Sequence, residues 1–134
     1  MIPGLDGTDG IVSKRSPWPV AATVERLRDT AAAHGLTVFA VFDHSGEARA
    51  HDLELRDTQV VVFGSPVAGT PVMQAAPLAA LDLPLRVLVV DAGGQTVMCF
   101  VAPAEMARRY GLPAELITRL AGVEAITDAV AAGA

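Results

Sequence analysis

A chain of 134 residues with ten basic and fifteen acidic side chains, net charge −5, has the size of one domain around one hydrophobic core. Hydrophobic residues make up 51% and charged residues 19%, which excludes disorder over most of the length; a mean hydropathy of +0.41 exceeds what one small domain hides, pointing to a buried contact between copies. No stretch of Lys and Arg builds a stripe beyond pairs such as Lys14-Arg15, and aromatics are 4%, so neither a nucleic acid nor an anionic membrane surface is an expected partner.

Residues 2–10 hold three glycines and a proline and read as an opening turn. Asp6 and Asp9 stand where a secretory signal would carry a basic start and an apolar run, so no signal is expected and the cytoplasm is the expected compartment. A short strand is predicted over 11–15, ending at Ser16-Pro17-Trp18-Pro19. Val20, Val24, Leu27 and Ala31 then recur at helical spacing, with Pro19 suited to the first helical position and Gly35 to the left-handed residue after the end.

Residues 36–42 predict a strand with two apolar faces, Leu36, Val38, Ala40 and Phe42 on one and Phe39 and Val41 on the other, covered on both sides. Asp43-His44-Ser45-Gly46 ends it, and residues 47–53 allow one or two helical turns. Residues 58–63 form the next strand. Gly64-Ser65-Pro66-Val67-Ala68-Gly69 reads as a loop by composition, and Thr70-Pro71 as the N-cap and first residue of a short helix to Ala76. Pro77 restarts that helix and Asp82-Leu83-Pro84 stops it.

Residues 85–90 and 96–101 flank a Gly93-Gly94 turn and predict a β-hairpin. Pro103 opens a helix that Gly111 ends, and Pro113 opens a last helix with Leu116, Leu120, Val123 and Val130 on one stripe. The result is a single α+β domain over 1–134, with a lead-in over 1–9, a core over 10–112 and a C-terminal helix over 113–134. Its elements run β-α-β-β-β-β-α with short inserted helices, on one mixed or mostly antiparallel sheet. Apolar runs are too short and too broken to span a bilayer.

Three stretches carry a family resemblance: Gly35-Leu36-Thr37-Val38-Phe39 leading to Asp43-His44; Phe63-Gly64-Ser65-Pro66 followed by Gly69-Thr70-Pro71-Val72-Met73-Gln74-Ala75-Ala76-Pro77; and Ala80-Leu81-Asp82-Leu83-Pro84-Leu85-Arg86-Val87-Leu88-Val89. Together they resemble the bacterial domain of unknown function family numbered 302, over residues 10–112. The resemblance implies an α+β fold and a tendency to dimerise, and no reaction. Gly64-Ser65-Pro66 stands where relatives carry Gly-Asn-Pro, and Phe100-Val101-Ala102-Pro103 where they carry a Tyr-Asn-Asp-Pro run. A site built on those polar groups would be partly lost here.

Chemistry-bearing residues are few. Gly64 and Gly69-Thr70 have the glycine spacing of a phosphate loop, but Thr70-Pro71 stands where lysine and a hydroxyl are needed, so an NTPase is not expected. Anion binding at the amides of a Gly69-Thr70-Pro71 helix start remains, beside a purely structural role in which Thr70 caps the helix. His44 at a strand end could act as a general acid or base, although Asp43 beside it points to the other strand face. Cys99, between Met98 and Phe100, has the setting of a buried hydrophobe rather than a reactive thiol, and as the only cysteine it can form no internal disulfide.

No metal-ligand spacing, dinucleotide fingerprint or nucleophile elbow is present, and no cofactor is expected. The sequence therefore predicts a small homodimeric domain holding an apolar or anionic molecule, with His44, Ser65, Gly69, Thr70 and Met73 as ligand-binding residues. The alternatives are a cofactor-independent enzyme using His44, or a structural protein-interaction module.

Overall fold

The computed structural model describes residues 9–134. Five strands, β1 (Ile11–Ser16), β2 (Thr37–Asp43), β3 (Thr58–Gly64), β4 (Leu85–Asp91) and β5 (Thr96–Val101), form one sheet in the order β1-β5-β4-β3-β2. Every neighbouring pair is antiparallel, so the fold is α+β, and β4 and β5 are the expected hairpin. The opening turn expected over 2–10 lies outside the described residues up to residue 8.

Helix α1 (Val20–Ala33) follows Pro19 and buries Val20, Thr23, Val24, Leu27 and Ala31, while Gly35 at φ +74° turns the chain into β2. α1 and α6 (Gly122–Ala131) lie on one side of the sheet, over Val61, Phe63, Val87, Val89, Met98 and Phe100. Lys14 fastens α6 to that side. Its ammonium, only 16% exposed, donates to Thr127 Oγ1 at 2.8 Å, pairs with Asp128 at 2.7 Å and lies 5.1 Å from the Phe100 ring centroid. The strand's alternation thus separates Lys14 from Arg15, which is exposed.

Four expectations need correction. β2 is an edge strand and is not covered on both sides: Phe39 is 51% and Phe42 54% exposed. An irregularity between Val38 and Ala40 shifts the pairing, so that Val38 and Val41 face the same partners' side and strict alternation fails. The C-terminal helix is divided into α5 (Ala114–Ile117), a 3-10 turn (Thr118–Leu120) and α6, with Gly122 at the second start. The expected loop and helix over 64–76 form one helix, α3 (Pro66–Ala75), followed by a 3-10 segment (Pro77–Asp82). After Asp43, the chain forms α2 (His44–Ala50), earlier than expected.

A second apolar cluster lies beyond the end of the sheet: Val72 of α3, Ala79 of the 3-10 segment, Met106 of α4 (Pro103–Tyr110), Leu112 and Leu120. A polar clamp closes it from outside. Arg109 pairs with Asp82 at 3.1 Å and with Glu105 at 3.3 Å, the Tyr110 hydroxyl donates to Asp82, and Arg108 donates from Nε to Glu105 at 2.8 Å. The Tyr110 hydroxyl foremost, then Arg109, holds the Asp82 carboxyl below its usual range; Arg108 foremost, then Arg109, holds Glu105 at about 2.

Carboxylates with lowered folded-state values contribute stability above their unfolded range and lose it as pH falls toward the folded value. Acid titration of the thermal midpoint should therefore show a loss that begins near the ordinary carboxylate range and continues down to about pH 2, where Glu105 protonates. Glu105→Gln should flatten that slope; an unchanged slope would show that the clamp carries no acid sensitivity.

Candidate functional site

The chain leaves β3 at Gly64 and returns to β4 at Leu85, and Phe63 pairs directly with Leu85. Both ends of the intervening excursion are thus pinned side by side, and α3 and the 3-10 segment arch away from the sheet end. At the root of the arch is a cavity of about 220 Å³. Phe39 from the irregular part of β2, Met73 of α3, Leu83, Pro84, Leu85 and Leu120 give it apolar walls. Ser65, Gly69, Thr70 and Arg119 supply the polar and backbone parts of the lining. Leu83 and Pro84 are joined by a cis peptide bond.

Ser65, Gly69, Thr70 and Met73 therefore share one wall. Their local setting differs from the expectation of a helix start at Gly69-Thr70-Pro71. The helix begins at Pro66, in the first helical position, and Ser65 is the N-cap, its Oγ accepting from the Ala68 amide at 3.4 Å. The Ala68 and Gly69 amides both donate to the Ser65 carbonyl, at 3.1 and 2.8 Å. Gly69 and Thr70 thus have no outward amides of a helix start, and the anion-binding mechanism expected there is not the one the helix provides. Pro71 lies inside the helix; the carbonyl it leaves without a donor belongs to Val67, which is strongly exposed and open to water.

His44 is not part of this cavity. It is exposed at the first residue of α2 and stacks on Phe42, ring centroids 6.4 Å apart. Asp43 is the N-cap of α2: it accepts from the Gly46 amide at 2.9 Å and from the Ser45 hydroxyl at 3.0 Å. Those bonds, the Gly46 amide first, lower the Asp43 carboxyl below its usual value, and they leave it bound to the turn rather than to the His44 ring. Cys99 is buried, 3.4 Å from the Ser13 hydroxyl. Among the described residues, no three His, Cys, Asp or Glu side chains converge as a metal set.

Arg119 and Phe39 were not singled out from the sequence. They come to the cavity from the C-terminal 3-10 turn and from β2, far apart in the chain. No local signal marks either; only the packing of that turn against α3 and of β2 against β3 assembles them.

A single antiparallel sheet, helices packed on one side and an arch enclosing a cavity at its end define the class of domain. The chain belongs to the family described as domain of unknown function DUF302, whose model matches residues 12–131, α6 included. It is 36% identical over 104 residues to proteins named fluoride-specific ion channel FluC 1, from Brucella suis biovar 1 (strain 1330), and FluC 2, from Brucella melitensis biotype 1. The match takes in 77% of this chain but 41% and 38% of those proteins, so the chain spans about two-fifths of their length. Among the described residues, no helix is long and apolar enough to cross a membrane. The crystal structure of an uncharacterized conserved protein DUF302 from Bacillus stearothermophilus superposes with a TM-score of 0.78, over 93% of this chain and 98% of that one, at 17% identity. It shares the fold.

The capping assignment is testable by exchange of two hydroxyls. Ser65→Ala should cost about 0.5–1 kcal/mol in denaturant unfolding, the lower part of the range for a lost N-cap, because the bond is long. Thr70→Ala, inside the helix, should be neutral or slightly stabilising by helix propensity. A larger loss at Thr70 than at Ser65 would return the helix start to Thr70.

Proposed function

We propose that this chain is a homodimeric small-molecule-binding domain, with an apolar or anionic ligand in the cavity at the root of the arch. The observation that carries the reading is the cavity itself: enclosed by three separate regions of the chain, largely apolar, and lined by a few polar groups, as small-ligand sites are. At about 220 Å³ it lies below the roughly 300–1,000 Å³ of drug-sized sites, which favours a ligand of few atoms. The enzyme reading has less support. His44 has an aromatic neighbour and, among the described residues, no polar partner, and it lies outside the cavity.

Dimerisation is supported by the other side of the sheet. α1 and α6 leave it to the apolar row Phe42, Val60 and Leu88, directly opposed residues of three neighbouring strands, with Val97 beside them, whereas Cys99, Val62 and Val90 on the same face are already buried within the chain. Packing such a row against a second copy would bury surface of the kind stable dimers need, more than about 1,000 Å². In the longer relatives named as fluoride channels, the matched region would then be a binding unit beside the remaining three-fifths of the protein.

Native mass spectrometry of the protein from its own host tests the binding reading. The expected result is a retained small mass that Gly69→Leu loses, since at Gly69 only Met73 Cε, at 3.9 Å, lies near an added side chain and the rest fills the cavity. His44→Ala should keep that mass and change stability by less than about 0.5 kcal/mol, as surface substitutions do. Retention that survives Gly69→Leu but vanishes in a folded His44→Ala protein would favour the enzyme reading instead.

Sedimentation tests the dimer separately. The chain should run as a dimer at micromolar concentration, and Leu88→Glu, which places a charge in the middle of the apolar row, should give a monomer with unchanged far-ultraviolet circular dichroism. A wild-type monomer at that concentration would refute the association.

A further inference from the structure

We infer that the cavity takes a small monocarboxylate, its carboxylate held by Arg119 and its apolar body between Phe39, Leu83, Leu85 and Leu120. This rests on the binding reading above and narrows the ligand from apolar or anionic to both at once. Among the described residues, Arg119 is the only charged residue in the lining, and no carboxylate shares that lining. Among the described residues it has no ion pair and no hydrogen-bond partner, unlike Arg108 and Arg109, which are tied to Glu105 and Asp82. A guanidinium is always charged and presents a planar fork that fits a carboxylate through two parallel bonds. One such group at the edge of an apolar cavity selects a ligand with one anionic end.

Two observations decide against phosphate. The amides at the start of α3 are committed to the Ser65 carbonyl, so the backbone offers no anion cradle. No second cation lines the cavity to balance a dianion. The volume sets the body: about 220 Å³ accommodates a single ring or a short chain, not a nucleotide. Ser65 adds a second donor, because its Oγ accepts from Ala68 while its own proton remains available.

The test is calorimetric titration of the purified chain with benzoate and hexanoate, with their neutral counterparts benzyl alcohol and hexanol, and with inorganic phosphate. At least one acid should bind about tenfold or more tightly than its alcohol, the order expected for a hydrogen-bonded charge at a partly exposed site. Arg119→Gln should abolish that difference while leaving alcohol binding and the thermal midpoint unchanged, and Arg119→Lys should restore part of it. Acid and alcohol binding equally, or an acid preference that survives Arg119→Gln, would overturn the assignment and leave the cavity a neutral apolar site. Phosphate binding as tightly as the acids would overturn it in favour of a plain anion site. If none of the five probes binds, the binding reading falls with it.

Discussion

The pairing of Phe63 with Leu85 constrains the half of this molecule that carries the cavity. Directly opposed residues of antiparallel strands have Cα atoms about 4.5–5.5 Å apart, so residues 64–84 must leave the sheet and return to almost the same point. A chain so pinned must form an arch. Its inner side buries Val72 and Ala79 against Met106, Leu112 and Leu120, while its outer side leaves Val67, Leu78 and Leu81 exposed. At the root of the arch the packing does not close. Gly64 brings no side chain there, and its nearest neighbours, Pro84 Cβ and Phe39 Cε2, lie 3.5 and 3.8 Å from where a Cβ would be. A cavity is the consequence of a closed excursion that begins on a glycine.

The sheet is asymmetric for a related reason. Antiparallel strands joined by short connections need no crossover helices, so helices are not forced onto both faces. Only two segments return across the sheet, α1 between β1 and β2, and α6 at the end of the chain, and both pack on the same side. Val61, Val87 and Met98 are completely buried there, whereas Leu88 and Val97 on the other side keep part of their surface exposed. The high apolar content is thus spread over two sheet faces and the arch rather than gathered in one enlarged core.

The elements that were legible in the sequence are those whose signals are local. α1 shows its apolar stripe and its terminal proline and glycine; the β4–β5 hairpin shows two apolar runs around Gly93-Gly94. The misread stretch, 64–76, contains the same kind of signal twice. Ser65-Pro66 and Thr70-Pro71 are both a hydroxyl residue followed by proline, and glycines at 64 and 69 suggested that the first pair belonged to a loop. Tertiary packing decides between them: Val72 must reach the second cluster, and a helix that starts at Pro66 carries it there. The irregularity at Phe39 was invisible because every residue of 38–42 is apolar, so a slipped alternation looks the same as a regular one. Of the five ligand-binding residues expected from the sequence, Ser65, Gly69, Thr70 and Met73 line the cavity because they lie on one helix and its cap, and His44 does not; Arg119 and Phe39 carried no signal, because their place depends on how distant parts of the chain fold back.

Leu85 belongs to both apolar clusters and also lines the cavity. That position joins the two halves of the protein energetically. The sheet cluster fixes the register that places Leu85 opposite Phe63, and the second cluster uses the same side chain as a wall. A molecule in the cavity would touch the sheet at Leu85 of β4, Gly64 of β3 and Phe39 of β2, while the open face is turned away from Leu85 by strand alternation. Any coupling between a bound molecule and a partner on that face would have to pass through the strand backbones, as at β4, where Leu85 and Leu88 point to opposite sides. The proposed cavity site and the proposed association surface thus lie on separate parts of the fold, joined by the strands of the sheet.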